Sequence, residues 1–335
     1  MSGTTTDENE NLPSPLLFAG GGSLEELPEI VDRLGARKAL LVVGPGCAAP
    51  AERVRHLLGG RSTGSFTDTV AHVPSWEVNL AVASAQEVHA DSVIAIGGGS
   101  SAGYAKIVAL ALGLPWIAVP TTLSGAEMTS RYFVTTGKGK ESGRSRRCAA
   151  RAVVRDPELL DLTPARVLAS SGMAAVGACL EILAGTPSRA SATAADAQRA
   201  LREVLPLLVR DPADRELRVR ALESAALAGA ALEAAGPGPA QLIAEDLGAT
   251  HRVDHGSLIA CLAPHVGAGA DLAGQVLPAE TVRNFAGSLG LPVDLGSVCP
   301  PFDADALVER LAARPDLAGP AAVDSLRLVL KEAMR

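Results

Sequence analysis

What the sequence does not contain narrows it first. Its five cysteines (Cys47, Cys148, Cys179, Cys261 and Cys299) are scattered, odd in number and never arranged as C-x-x-C. Neither a disulfide framework nor a zinc finger is signalled. Positive charge is not in excess: the formal net charge is −7. A chain without a basic face has little to hold the phosphates of a nucleic acid, so no such partner is expected. No uninterrupted apolar stretch reads as long enough to cross a bilayer, so no membrane partner is expected either. The opening MSGTTTDENENLPSP is polar and acidic, with no basic n-region and no apolar h-region. It reads as a disordered tail over residues 1–14 rather than a signal peptide, and the protein as cytoplasmic. No internal repeat is found, and the dinucleotide fingerprint G-x-G-x-x-G is missing.

What is present is organised around Asp91 to Thr129, DSVIAIGGGSSAGYAKIVALALGLPWIAVPTTLSGAEMT. Ser92 to Ile96 is a short β-branched run, as a buried parallel strand should be. Gly97, Gly98 and Gly99 follow at once. Ser100 and Ser101 can cap a helix whose apolar face is Ala105, Val108, Ala109 and Leu112. A second buried strand, Trp116 to Val119, ends in Pro120-Thr121-Thr122. A strand that feeds a glycine turn and a helix N-terminus is a phosphate site in the making. Glycines let the backbone approach, and the open amides with the helix dipole favour negative charge.

A chain of 335 residues, 47% of them hydrophobic, can build two domains with sizeable cores. Lys38 to Val43 reads as a strand, and Gly44-Pro45-Gly46 turns it into a helix from Pro50 to Leu58. Ser23 reads as the cap of a short helix ending near Leu34. His72-Val73-Pro74 precedes a helix from Pro74 to His89 with Trp76, Leu80 and Ala83 on one face. Val134 to Ser142 reads as a hairpin or loop carrying Lys138 and Lys140. After Asp156-Pro157 strand-like runs stop and Ala-rich helical spacing begins. Helices are expected over Thr163–Leu183, Ala195–Leu208, Asp214–Ala234, Ala240–Leu247, Asp254–Ala268, Pro278–Leu289, Asp303–Ala313 and Ala321–Ala333. The expected architecture is an α/β nucleotide-binding domain over 15–161 and a helical domain over 162–335, with a small-molecule substrate in a cleft.

GGGSSAGYAK followed by PTTLSGAEMT resembles the iron-containing alcohol dehydrogenase superfamily, whose fold is shared with dehydroquinate synthase. Within it the chain looks most like the maleylacetate reductases, which also carry Gly at the position of Gly103. AHVPSWEVNLA from Ala71, KGKESGR from Lys138, DPELL from Asp156, SGMAAVGACLE from Ser171 and HGSLIACLAPHV from His255 follow in family order. The resemblance implies NAD(P)H as cofactor, held by Gly97, Gly98, Gly99 and Ser100 together with Thr121, Thr122 and Leu123, and approached by Lys140. Gly44 stands where many members have the Asp that repels a 2′-phosphate, so NADP is not excluded by charge. Gly44 can equally do no more than make its turn.

Metal-dependent members hold a divalent ion with an Asp and a His four residues apart on one helix and two later His. Aligned on that pattern, this chain has Ala174, Ala178 and Gln241 at three positions, and keeps His255 at the last. One imidazole and one weak amide are too few donors, so no metal is expected. Where the reductases show His-His-Lys, this chain has Ala240-Gln241-Leu242, and it has Glu245 where they have another His. A dicarboxylate such as maleylacetate would meet Glu245 as a like charge. The residues left for acid–base work are Glu245, His251 and His255. For Asp254 helix capping is the expected task. Three functions stay open: a metal-free reductase of a small carbonyl or enone compound, a non-redox cyclase, dehydratase or isomerase of specialised biosynthesis, and a catalytically silent nucleotide-binding relative. A homodimer is compatible with the sequence.

Overall fold

Alternation along short strands builds the first half of the chain. In the computed structural model, which describes residues 14–137, 139–266, 277–314 and 319–335, these are β1 (Leu16–Ala19), β2 (Ala39–Val43), β3 (Ser62–Phe66), β4 (Ser92–Gly97) and β5 (Trp116–Pro120). A hairpin, β6 (Arg131–Thr136) and β7 (Gly139–Arg144), and then β8 (Ala152–Arg155) complete the set. Six strands form one sheet in the order β1-β8-β5-β4-β2-β3, and every pairing is parallel. Helices α1 (Leu27–Arg33), α2 (Ala48–Leu58), α3 (Ser75–Glu87) and α4 (Gly99–Leu112) connect them.

Successive side chains of a strand point to opposite faces, and both faces here are covered. Leu41, Val43, Ile94, Ile96, Ile117 and Val119 pack with α1 and α2 residues such as Ile30 and Val54. The alternate set, Leu40, Val42, Val93, Ala95, Trp116 and Ala118, packs with Val78, Ala81, Val108 and Ala109 of α3 and α4. That is why the central strands read as continuous apolar runs. On α3 the face formed by Trp76, Leu80 and Ala83 points to solvent, with Trp76 64% exposed. The buried face is Glu77, Val78, Ala81 and Ala85.

The second half is helical: α5 (Ala165–Ala184), α6 (Arg189–Arg210), α7 (Arg215–Ala235), α8 (Pro239–His251), α9 (His255–Leu262), α10 (Ala279–Ser288), α11 (Leu295–Val298), α12 (Ala304–Ala312) and α13 (Gly319–Ala333). They share one core that includes Met173, Val176, Leu201, Leu205, Ile243, Leu247 and Ile259. The fold is thus an α/β domain plus an all-α region, as the sequence indicates. Contacts divide the described chain into two units. One takes in residues up to Thr121, Ala126–Val134 and Ser142–Leu159; the other takes in Thr122–Gly125, Thr135–Glu141 and the chain from Leu160.

Three expectations are corrected. Helix α5 is long and apolar enough, by length and composition, to cross a membrane. It passes that test because it is the central helix of the second core, with most of its surface covered by neighbouring helices. Neither Ser23 nor Ser100 caps a helix through its side chain. Ser23 lies inside a short 3-10 turn whose N-cap is Gly22, and α4 begins two residues earlier than a Ser100 cap would place it, at Gly99, with Gly98 as N-cap. The helix expected over Asp254–Ala268 ends at Leu262, and Pro264 turns the chain into a 3-10 segment over Ala263–His265; residues 1–13 of the expected tail over 1–14, Lys138, and residues 267 and 268 lie outside the described residues.

Candidate functional site

The glycine turn sits where the parallel sheet changes direction. From β2 the chain moves outward to β3, whereas from β4 it moves to β5 on the other side, so β2 and β4 are adjacent strands with diverging connections. Ligands of such sheets bind outside the carboxyl ends at that point. Gly44 follows β2 and Gly97 ends β4, and the Gly44 N–H donates to Ile96 O at 2.8 Å. A Cβ on Gly44 would lie 2.6 Å from Ser101 Oγ, and one on Gly97 would collide with the same hydroxyl. Gly97 also has φ of 145°, a conformation that glycine alone adopts readily. Gly44 therefore does more than make its turn: it lets the two strand ends close on Ser101.

No side chain caps α4, so the first amides of the helix, after the Gly98 cap, face outward from an N-terminus that favours anions. Ser101 Oγ is buried with no hydrogen-bond partner among the described residues. A buried orphan hydroxyl beside open amides and side-chain-free glycines suits a phosphate or pyrophosphate. Thr121 closes this edge: its N–H donates to Gly97 O at 3.0 Å, and its hydroxyl lies 3.5 Å from Cys47 Sγ.

The rest of the two motifs is scaffold. Lys106 is nearly buried, and its Nζ donates to Ala126 O, Thr129 Oγ1 and Arg131 O at 2.8–2.9 Å. The ammonium fastens the AEMT segment to α4. Gly103 makes room for Val73, whose Cγ2 lies 2.7 Å from where a Cβ would be. Val73 is fully buried at φ 52°, and His72 precedes it at 66°. A β-branched residue is strained in that region, so the pair is held by its surroundings.

In the second unit Thr122 is partly exposed. Leu123 is fully buried in the helical core, and its N–H donates to Ser171 Oγ at 3.1 Å. Its side chain and amide are thus already engaged within the second unit. The residues at the family's metal positions do come together. Gln241 Nε2 donates to Ala174 O at 3.3 Å, and Gln241 Oε1 lies 3.0 Å from His255 Nε2. Ala178 is buried one turn further along α5. Two methyl groups, an amide and one imidazole do not fit Fe²⁺ or Zn²⁺, which take three or four N, O or S donors. Among the described residues no group of three or more His, Cys, Asp or Glu side chains is arranged to hold a metal ion.

Burial pushes His255 below the usual imidazole pKa, and the Lys140 ammonium adds to this. Glu245, Asp254 and a hydrogen bond at the Ala244 backbone pull the other way. Lys140 and His255, distant in sequence, thus act on one another within this unit. Asp254 is the N-cap of α9: its carboxylate accepts from Ser257 N at 2.8 Å and from Ser170 Oγ at 2.5 Å. Glu245 is in an ion pair with Arg314 at 3.3 Å, both side chains largely buried. His251 ends α8, with its ring 6.3 Å from that of Phe302.

Two residues near the polar group escape sequence reading. Glu181 lies one turn beyond Ala178 on α5 and caps α8, accepting from the N–H groups of Ala240 and Gln241. Burial pushes its pKa up to about 8 against those hydrogen bonds, and Glu245 adds to the rise. A charged residue inside an apolar helical run is the one signal the sequence offers. Arg314 has none: it stands in no motif and meets Glu245 only through the fold.

Residues 14–157 match the profile of the iron-containing alcohol dehydrogenases. Over 276 residues the chain is 37% identical to maleylacetate reductase 2 of Cupriavidus pinatubonensis, covering 82% of this chain and 76% of that one. It is 33% identical to a maleylacetate reductase of Burkholderia cepacia over 95% of both chains. Among solved structures, the maleylacetate reductase of Agrobacterium tumefaciens superposes with a TM-score of 0.82 at 28% identity, covering 96% of each chain.

Proposed function

The chain belongs to the iron-containing alcohol dehydrogenase family of oxidoreductases, and from that premise we propose that it is a metal-independent, NAD(P)H-dependent reductase of a small carbonyl or enone compound other than maleylacetate. One contrast supports the reading above all. The phosphate-type turn is complete, with open amides and the orphan Ser101 hydroxyl, whereas the metal positions are filled by Ala174, Ala178 and Gln241.

NAD(P)H, when bound, supplies the hydride. Gly97, Gly98, Gly99 and Ser100 would hold its pyrophosphate through backbone amides, with Thr121 at the neighbouring strand end. Reduction of a carbonyl then needs one proton at oxygen, and His255 is the proposed donor: as imidazolium it would give the proton on Nδ1, Nε2–H being held by Gln241 Oε1, and it would then retake one from water. The charge developing on that oxygen would be eased by the Lys140 ammonium, rather than by a Lewis acid. The loss of imidazoles at 240–242 and the gain of Glu245 support a substrate less anionic than a dicarboxylate, although the Arg314 partner softens that charge.

Titration of NADPH fluorescence into the protein and into Gly98→Val tests the cofactor half. Tight binding by the first and none by the second is expected, because a side chain at 98 blocks the pyrophosphate approach. A screen of carbonyl and enone compounds by NADPH oxidation tests the rest. Cofactor binding with no oxidation by any of them would turn the reading toward non-redox chemistry. Turnover of maleylacetate at about 1 per second or faster would remove the substrate claim.

A further inference from the structure

Gln241 occupies a telling place. Its amide is nearly buried between a backbone carbonyl on α5 and an imidazole on α9. A carboxamide can be turned either way, and the two ends differ in what they do: nitrogen only donates, oxygen only accepts. The carbonyl of Ala174 settles the choice, because it can only accept. Nε2 of Gln241 must therefore face Ala174, which leaves Oε1 facing the ring of His255 at 3.0 Å. An amide oxygen next to a ring nitrogen is favourable only if that nitrogen carries a proton. The backbone of Ala244 is the other acceptor at the ring, but Gln241 Oε1 is the partner at close hydrogen-bond distance.

We infer that Gln241 is a positioning residue, which fixes the orientation of His255 and keeps the proton of the neutral ring on Nε2. Two hydrogen bonds in series, from His255 Nε2–H to Gln241 Oε1 and from Gln241 Nε2–H to the Ala174 carbonyl, aim the imidazole. It also denies Nε2 to any metal, since a protonated nitrogen has no lone pair to give. Glu181 supports the arrangement from behind, because its carboxylate accepts from the Gln241 backbone N–H at 3.2 Å and so fixes where the side chain starts. The inference rests on the reading above only in so far as His255 is the proposed proton donor; the geometry stands apart from any activity.

The test is the ring's nitrogen spectrum. Histidine-selective ¹⁵N labelling and a two-bond proton–nitrogen correlation distinguish Nε2–H from Nδ1–H, and His255→Asn identifies the signal among the six histidines. The full-length protein should show essentially one tautomer, Nε2–H. Gln241→Met keeps the volume and loses both hydrogen bonds, so its His255 should become a mixture of tautomers. Gln241→Glu keeps an acceptor toward the ring and should retain Nε2–H. In NADPH oxidation assays Gln241→Met should lower turnover about tenfold or more with KM little changed. Nδ1–H in the unaltered protein would overturn the inference, whether or not the variants fold, and so would an unchanged pattern in Gln241→Met. A tautomer shift in a protein that reduces no carbonyl would leave Gln241 in its role and sink the reductase reading instead.

Discussion

At the scale of single residues, the tightest constraints are on glycines with a neighbour where a side chain would go. Gly103 is one: adding a methyl there meets Val73 Cγ2 at 2.7 Å, and Val73 is already in a strained left-handed conformation that it cannot easily leave. Gly103→Ala should therefore destabilise the protein by about 1–3 kcal/mol, the usual range for overpacking, and urea denaturation would measure it. Unchanged stability would show that the His72-Val73 turn can yield. Glu245 invites a second substitution. Its partner Arg314 is 9% exposed, and a charge so placed loses more by losing its counter-ion than the pair gains by forming. Glu245→Gln should lower the thermal midpoint. If Glu245 also takes part in proton transfer, turnover should fall by roughly 10²-fold without loss of NADPH affinity. A stability loss at full turnover would assign it to structure alone.

At the scale of elements, Glu181 shows how one side chain sets a helix. Both carboxylate oxygens accept from the first amides of α8, and Gly238 has no side chain to obstruct them. A glutamine has only one accepting oxygen, so above about pH 8, where Glu181 is ionised, Glu181→Gln leaves a backbone N–H opposite an NH₂ and should cost about 1–3 kcal/mol. The pH dependence follows from the raised pKa of about 8. The folded protein keeps this proton up to about pH 8, whereas the unfolded chain releases it near the ordinary value of 4.5. This group thus favours folding fully below pH 4.5 and loses its contribution as pH rises toward 8. Thermal melts across that window should show a falling trend in the unaltered protein that is weaker in Glu181→Gln. The elements themselves were largely legible. The strands at Ser92 and Trp116 and the glycine turn are legible from apolar runs and turn residues, because those patterns are local, whereas the caps of α4 and of the turn at Ser23 fall on glycines rather than on the serines. Strand β3, with sequence STGSF, was not, since its polar residues suit only the edge of a sheet. The outward face of Trp76 and Leu80 was not legible either, because periodicity finds a face without saying which way it points. At the site, the glycine turn is legible from spacing; the Gln241–His255 contact and the Arg314 pair are not, since they join residues that only the fold brings near.

At the scale of the whole molecule, two cores of different make stand in one chain: a sheet covered on both faces, and a helical core without strands. Ala174, Ala178 and Gln241 stand where the family's metal ligands would be, and between them they offer a single amide. Purified protein should therefore contain no stoichiometric iron or zinc, and exhaustive chelation should leave both the melting temperature and carbonyl reduction unchanged. Stoichiometric metal whose removal abolishes activity would contradict this directly. A different consequence follows from α5. It is the central helix of the second core and apolar enough to pass for a membrane span, yet its covering is made later in the chain. Helices α6, α7 and α9 follow it in sequence, so the last of them leaves the ribosome roughly 80 residues behind it, several seconds at about 5–20 residues per second. During that interval the nascent chain displays a segment that chaperones and membrane-targeting factors alike would recognise, and its fate is decided by the speed of synthesis as much as by its stability once folded.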